Sequence, residues 1–141
     1  MTVTIYHNPD CGTSRNVLAV IEAAGYTPQI VHYLSVGWQR DQLLTLFAEA
    51  GLTPRQALRE HKSPAAELGL LASGVSDEDL IEAMLNHPIL VNRPFVVTPK
   101  GTRLCRPSDI VLDLLERWPA GPFCKEDGEL MIDASGNRVG R

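Results

Sequence analysis

Residues 7–15 read HNPDCGTSR and decide how the chain begins to fold. Before this stretch, residues 2–6 alternate between aliphatic side chains and polar or aromatic ones, a period of two that is typical of a half-buried strand. After it, residues 17–24 place apolar side chains at helical spacing, and Gly25 is expected to end the helix. The pattern predicts a strand, a turn and a helix, with Cys11 at or just before the helix N-terminus.

We interpret Cys11 as a nucleophile. Unpaired backbone N–H groups and the helix dipole favour an anion at a helix N-terminus, and a thiolate is such an anion. His7 and Arg15 could add positive charge nearby. The alternative is a small, buried and inert cysteine. The turn-forming and polar neighbours of Cys11 favour a reactive cysteine on a surface loop instead.

Composition limits the class of protein. A chain of 141 residues, 44% hydrophobic and 21% charged, fits a single globular domain. There is no apolar run that could span a bilayer and no secretion segment at the N-terminus, so we expect a cytoplasmic protein with no membrane partner. The formal charge of −4 argues against non-specific binding of nucleic acid.

The cysteines indicate thiol chemistry in a reducing compartment. Cys11, Cys105 and Cys124 are an odd number at wide spacing, unlike a disulfide framework or a zinc site. His32, His61 and His87 show no ligand spacing with any cysteine, so no metal is expected. Cys105, inside a predicted strand, is interpreted as structural, and Cys124 as incidental.

The middle of the chain is predicted to be helical. Residues 29–34 first predict a second strand, parallel to the first one because the unit reads β-α-β. Three helical patterns then follow, at 41–50, at 53–59 and at 76–87. The second of these opens with a capping box and is expected to carry Arg59.

The last third returns to strands. Residues 94–98 and 102–105 predict an antiparallel hairpin, and residues 107–117 a final amphipathic helix. The order β-α-β, helices, β-β-α predicts an α/β, thioredoxin-like mixed sheet with a helical insertion between the second and third strands. We expect one domain over the whole chain, with the insertion at about 38–90 and a covering or loosely ordered tail at about 119–141.

Three segments resemble the bacterial glutaredoxin-coupled arsenate reductases: residues 5–15 (IYHNPDCGTSR), 87–94 (HPILVNRP) and 102–107 (TRLCRP). The resemblance covers nearly the whole chain, and the three motifs occur in the family's order and spacing. It implies an oxidoreductase that converts arsenate to arsenite, with glutathione as co-substrate, glutaredoxin as partner and no tightly bound cofactor.

The resemblance also implies the substrate-binding residues. Arg59, Arg93 and Arg106 stand where the family places its substrate-binding arginines, and a guanidinium fork suits a tetrahedral oxyanion. That all three face Cys11 is implied by the resemblance. Taken singly, each arginine could be an ordinary surface residue.

Other residues are assigned to the site in the same way. His7 is expected to support the thiolate by its charge, or else to shape the turn. Ser14 could donate to the thiolate or cap the helix, and capping is favoured. Asn8 is expected to organise the loop. Pro94 holds the place of the cis proline that opens the third strand in thioredoxin-like folds.

In the mechanism that the resemblance implies, the Cys11 thiolate attacks arsenic, displaces water and forms a covalent adduct. Glutathione then adds, glutaredoxin accepts the mixed disulfide, and arsenite leaves. Ser14 stands where a resolving cysteine would stand, so the electrons must come from external thiols. Serine at Cys105 or Cys124 is therefore expected to leave turnover largely intact.

Three other functions share features with this sequence. A phosphatase-like reductase needs Cys-x5-Arg, and position 17 is Val, which excludes it. A related glutathione-dependent thiol reductase acting on another substrate stays open, although the three arginines weigh against it. A redox regulator that binds RNA polymerase also stays open, although Ser14 removes the Cys-x-x-Cys switch of such proteins.

Overall fold

The computed structural model describes residues 1–140. Its internal contacts divide the chain into two compact units. The first unit comprises Met1–Val31 and the residues from Arg93 onwards, and the second comprises His32–Asn92. Within the described residues, no helix has both the length and the apolar character that crossing a bilayer would require.

A mixed sheet is the centre of the first unit. Within residues 1–140 it has the strands β1 (Thr4–Tyr6), β2 (Gln29–Val31), β3 (Phe95–Thr98) and β4 (Gly101–Leu104), in the order β2-β1-β3-β4. β2 runs parallel to β1, whereas β3 is antiparallel to both β1 and β4. The arrangement confirms the predicted α/β class and the parallel β-α-β unit.

The hairpin formed by β3 and β4 has a register that matters for the site. Phe95 is paired with Leu104, and Thr98 with Gly101, so that only Pro99 and Lys100 form the turn. Beyond the strands, the backbone N–H of Cys105 donates to the carbonyl oxygen of Pro94 at 2.9 Å. The predicted hairpin is confirmed; β3 begins one residue later than predicted, and β4 begins and ends one residue earlier.

Helix α1 (Gly12–Ala23) packs one apolar face into the core of the first unit. Val17, Val20 and Ile21 are fully buried on that face. Gly25 follows the helix with a φ of +94°, a left-handed conformation that favours glycine. The helix and its end are both as predicted.

The predicted α-helix over 107–117 is wrong in type and in length. The segment forms a 3₁₀ helix, Ser108–Leu114. Three of its four buried residues, Ser108, Val111 and Leu114, are three apart, and side chains three apart lie above one another in a 3₁₀ helix. A spacing of three therefore satisfies the core without the wider turn of an α-helix.

The C-terminal tail packs on the core of the first unit, which fits the covering role, one of the two alternatives predicted for it. β5 (Phe123–Cys124) and β6 (Leu130–Ile132) form a hairpin, and Met131 and Ile132 enter the core. A Cβ atom on Gly121 would collide with the carbonyl oxygen of Asp133, so this close backbone approach requires glycine. The tail is anchored by the packing of Met131 and Ile132, which its largely polar composition does not indicate.

The second unit is helical, as predicted for the insertion. Its α-helices are α2 (Tyr33–Val36), α3 (Arg40–Ala50), α4 (Pro54–Ala57) and α5 (Asp77–Asn86), followed by a 3₁₀ helix at Pro88–Leu90. Gly51 ends α3 in the left-handed conformation, and Thr53 opens α4 with the predicted capping box. The domain boundaries themselves stay a prediction.

Two further details, at the end of β2 and at the end of α4, differ from the predictions. The second strand ends at Val31 and does not continue to residue 34, because Tyr33 is fully buried against Trp38, with ring centroids 5.0 Å apart, and begins a helical turn. Helix α4 ends at Ala57, so Arg59 lies beyond the helix. The backbone N–H of Arg59 instead donates to the carbonyl oxygen of Leu90 at 2.8 Å.

Candidate active site

Cys11 is the N-cap residue of α1, where the sequence placed it. Its φ and ψ of −101° and 120° are extended, and its carbonyl oxygen accepts the first helical hydrogen bond, from the Arg15 N–H at 3.0 Å. The Cys11 N–H donates to the Asn8 carbonyl oxygen at 3.1 Å, which closes the loop that carries Cys11. The sulfur is thus held at the positive end of a twelve-residue helix.

The prediction that Cys11 lies on an exposed loop is wrong in one respect, because the residue is only 6% exposed. His7, Asn8 and Ser14 are buried as well. Polar residues can be buried when they satisfy one another's hydrogen bonds. The loop does so, and its polarity is therefore no sign of exposure.

Ser14 is at the centre of that hydrogen-bond network. Its Oγ lies 2.7 Å from His7 Nδ1 and accepts a hydrogen bond from the Asn8 backbone N–H at 3.1 Å. Asn8 Oδ1 accepts in turn from the Asp10 N–H at 2.9 Å. The expectation that the Ser14 side chain caps α1 is wrong, since Cys11 holds the cap position. The loop-organising role expected of Asn8 fits these contacts.

Arg93 and Arg106 lie at the foot of the β3–β4 hairpin. In the strands, Phe95 is paired with Leu104. Two residues before Phe95 is Arg93 and two residues after Leu104 is Arg106, so the same register sets the two arginines opposite each other. Arg106 Nη1 donates to the Arg93 carbonyl oxygen at 3.1 Å and to the Cys11 sulfur at 3.7 Å. The Arg93–Pro94 peptide bond is cis, as the resemblance implied for this proline.

The electrostatic surroundings of Cys11 favour its thiolate. Burial raises the pKa of the Cys11 thiol, but three neighbours outweigh it: the Ser14 backbone N–H, the charge of Arg93, and the hydrogen bond and charge of Arg106. The net effect is a pKa below the ordinary value of a cysteine. A thiolate in contact with a guanidinium can attack an oxyanion that the same guanidinium binds.

This shift predicts the pH dependence of Cys11 alkylation. Because the folded-state pKa is lowered, the rate with iodoacetamide should reach half its maximum below the pH of about 8.5 that is typical of a free cysteine. The thiolate also stabilises the fold above that ordinary pKa, and this contribution should disappear as the pH falls through the lowered value. Mass spectrometry of the peptide containing Cys11 measures the rate, and a midpoint above 8.5 would contradict the prediction.

Cys105 has the opposite environment. It is fully buried, and burial raises the pKa of its thiol to about 12. Cys124 is exposed in β5. The Cys105 thiol therefore stays protonated at working pH, which favours the structural interpretation.

The second and third cysteines give a matched pair of variants. Cys124→Ser should retain turnover within about twofold, since a surface change has little effect on stability. Cys105→Ser should do the same at a temperature where the variant is folded, which its thermal unfolding curve establishes. A loss as large as that of Cys11→Ser in either variant would overturn the assignment.

Arg59 lies in the second unit. It is buried, and its Nε donates to the His61 carbonyl oxygen at 3.0 Å. Its carbonyl oxygen accepts from the Ser63 hydroxyl. These contacts fix the residue within its own unit, and its role as a third substrate-binding arginine stays a prediction.

The sequence gives no indication of an ion pair that lies near Cys11, between Arg15 and Glu126. Arg15, one turn into α1, forms a two-pronged ion pair with Glu126 of the C-terminal hairpin. The partners are 111 residues apart in the chain, so no local pattern could have indicated the contact. Among residues 1–140, no group of three or more His, Cys, Asp or Glu side chains could hold a metal ion.

Comparison with known proteins identifies the family. A family model described as the ArsC family matches residues 6–114. The arsenate reductase ArsI2 of Synechocystis sp. is 67% identical over 97% of this chain and 98% of its own length. The arsenate reductase of Escherichia coli K12 is 52% identical over 97% of each chain.

A solved structure supports the same assignment. The arsenate reductase from Vibrio cholerae superposes with a TM-score of 0.77 and 40% identity, covering 82% of this chain and 98% of its own. The thioredoxin-like fold expected from the order of elements is thereby confirmed. The family model and these relatives together show that the chain belongs to the ArsC family.

Proposed function

We propose that this chain is an arsenate reductase, in which the Cys11 thiolate attacks arsenate and the electrons come from glutathione and glutaredoxin. One observation carries the proposal: Arg106 Nη1 contacts both the Cys11 sulfur, at 3.7 Å, and the Arg93 carbonyl oxygen, at 3.1 Å. A nucleophilic sulfur thus lies against a cation suited to an oxyanion. The relatives described above carry the name arsenate reductase, which supplies the substrate.

The charge and shape of the site suit arsenate. Arsenate is tetrahedral and carries one to two negative charges near neutral pH, and a guanidinium binds such oxygens in pairs with fixed geometry. Arg93 and Arg106 are proposed to hold these oxygens beside Cys11. Arg59 is proposed as a third ligand of the oxyanion, on the strength of the family resemblance.

The first chemical step forms a covalent adduct. The Cys11 sulfur forms a bond to arsenic, and one arsenate hydroxyl takes a proton and leaves as water. Arsenic stays pentavalent in this step. The guanidinium of Arg106, which favours the thiolate in the free protein, can then hold the negative oxygens of the adduct.

The following steps transfer two electrons. Glutathione replaces a second oxygen of arsenic and releases another water. A glutaredoxin thiolate then attacks the glutathione sulfur and forms a mixed disulfide, and the electron pair of the broken sulfur–arsenic bond stays on arsenic, which becomes trivalent. Water finally displaces the Cys11 sulfur, so that arsenite leaves and the thiol is restored.

The surroundings of Ser14 and Cys105 support the proposal that external thiols supply the electrons. The position of a resolving thiol, three residues after Cys11, holds Ser14, whose oxygen is engaged by His7 and Asn8. Cys105 is buried and its pKa is raised to about 12. Both co-substrates belong to a reducing compartment, and we therefore propose a cytoplasmic location.

The proposal is tested by NADPH oxidation in a coupled assay that contains arsenate, glutathione, glutathione reductase and glutaredoxin. Turnover should require all of these components, and arsenite should accumulate in proportion to the NADPH consumed. Without arsenate, the rate should fall to background. No arsenate-dependent turnover with the complete mixture would overturn the proposal and favour a different thiol substrate.

A further inference from the structure

The two-pronged ion pair between Arg15 and Glu126 is not used by the proposed chemistry. Arg15 Nη2 donates to Glu126 Oε1 at 2.8 Å, and Arg15 Nε donates to Glu126 Oε2 at 3.1 Å. The Glu126 backbone N–H also donates to Asn16 Oδ1, at 2.9 Å. The turn between β5 and β6 thereby places a carboxylate in the fork of a guanidinium on α1.

This ion pair lies directly beside the nucleophile. Arg15 Nη1 donates to the Pro9 carbonyl oxygen at 2.8 Å, so the guanidinium folds back over the loop that ends at Cys11. A Cβ atom built on Gly12, the residue after Cys11, would lie 3.1 Å from Glu126 Oε1 and 3.6 Å from Arg15 Nη2. The carboxylate therefore rests on the first residue of the helix that Cys11 caps.

The pair is also accessible. The side chains of Arg15 and Glu126 are 45% and 47% exposed, respectively. An ion pair that solvent reaches on both sides contributes little to stability, so one carboxylate can replace another in the fork at little cost. The structure thus contains a carboxylate position next to Cys11 that is occupied by a replaceable side chain.

We propose, resting on the proposed function, that Arg15 binds a carboxylate of the thiol that attacks the Cys11 adduct, and that Glu126 occupies this position until the thiol arrives. Glutathione carries two carboxylates, whereas Arg93 and Arg106 are engaged with the arsenic-bound oxygens. Arg15 is a further cation at this loop, and its guanidinium donates to the Pro9 carbonyl oxygen of the loop itself. The bidentate fork selects a carboxylate-bearing thiol over a neutral one.

Matched thiols test the proposal in the coupled assay. Wild type, Arg15→Gln, Glu126→Gln and the double variant are compared with glutathione and with glutathione whose carboxyl groups are both esterified. Glu126→Gln should lower KM for glutathione, because the internal competitor is removed. Relative to Glu126→Gln, the double variant should raise this KM about fivefold. KM for arsenate and KM for the ester should stay within about twofold.

The double variant separates two effects, because Arg15→Gln alone would also leave the Glu126 charge unpaired beside Cys11. Glu129→Gln is the matched control, since it removes one carboxylate from the same hairpin and that carboxylate pairs with Lys125. Glu129→Gln should leave KM for glutathione and KM for its ester unchanged. Equal KM changes for glutathione and its ester in the double variant would overturn the proposal and assign Arg15 a purely structural role.

A second measurement does not depend on arsenate. In oxidised glutathione, the Cys11 thiolate attacks one sulfur, forms a mixed disulfide and releases one glutathione thiolate. Mass spectrometry follows this rate for oxidised glutathione and for its fully esterified form. The preference for the charged form should fall about fivefold from Glu126→Gln to the double variant. An unchanged preference would overturn the Arg15 proposal even if arsenate turnover is present, and absent turnover with a changed preference would overturn only the proposed function.

Discussion

Replacing Cys11 with serine should reduce arsenate-dependent NADPH oxidation by at least about 10³-fold, because the attacking group is removed. A serine hydroxyl is far less acidic than a thiol. The neighbours that lower the pKa of Cys11, namely the Ser14 backbone N–H, Arg93 and Arg106, cannot ionise a hydroxyl at neutral pH. The serine variant also lacks the sulfur atom that the proposed mechanism bonds to arsenic before the electron transfer. The coupled assay measures the loss at saturating arsenate.

Cys124→Ser provides the control for this substitution, because it makes the same chemical change at an exposed site of β5. Thermal unfolding of both variants should match that of the wild type within a few degrees. A second readout is the covalent adduct itself, since intact-protein mass spectrometry should detect arsenic on the wild type and none on Cys11→Ser. Retention of a tenth or more of the wild-type rate would show that Cys11 is not the nucleophile.

Replacing Arg106 with alanine should lower kcat/KM for arsenate by about 10² to 10³-fold, the loss that follows removal of one well-placed oxyanion donor. Two effects combine. The oxyanion loses a guanidinium, and the Cys11 sulfur loses its hydrogen bond and the neighbouring charge, so the pKa of Cys11 should rise. The midpoint of iodoacetamide alkylation should therefore move to higher pH in the same variant.

Two further variants sharpen this measurement. Arg106→Lys keeps the charge without the fork, so it should recover the alkylation midpoint more fully than the arsenate kinetics. Arg103→Ala is the matched control, since Arg103 lies on the same strand and pairs with Asp113 at 3.6 Å, at the surface. It should change kcat/KM by less than about twofold. Equal effects of Arg103→Ala and Arg106→Ala would remove Arg106 from the site.

Local patterns predicted those elements whose burial and caps lie close together in the chain. The apolar spacing of α1, its end at Gly25 and the N-cap position of Cys11 were all readable, because each depends on residues within one or two turns. The same holds for the capping box at Thr53. The sequence predicts an α-helix where Ser108–Leu114 forms a 3₁₀ helix, because apolar residues at spacings of three and four are consistent with either helix.

Long-range contacts were not readable. Nothing in the polar residues after Ala120 indicated that Met131 would enter the core, and Glu126 gave no sign of its pairing with Arg15. The capping role predicted for the Ser14 side chain is wrong for a related reason. Its position at a helix start favours capping, but the buried Nδ1 of His7 and the Asn8 N–H compete for the same oxygen, and that competition is decided by packing.

The two-residue turn at Pro99 and Lys100 sets the spacing of the proposed oxyanion site, although it lies at the end of the hairpin opposite Arg93 and Arg106. Antiparallel register is counted outward from the turn, so one residue added or removed there would turn Arg106 to the opposite face of the hairpin. Substitutions in residues 95–104 are therefore more tolerable than changes in length. In a designed library, this stretch should be varied in sequence and kept free of insertions and deletions.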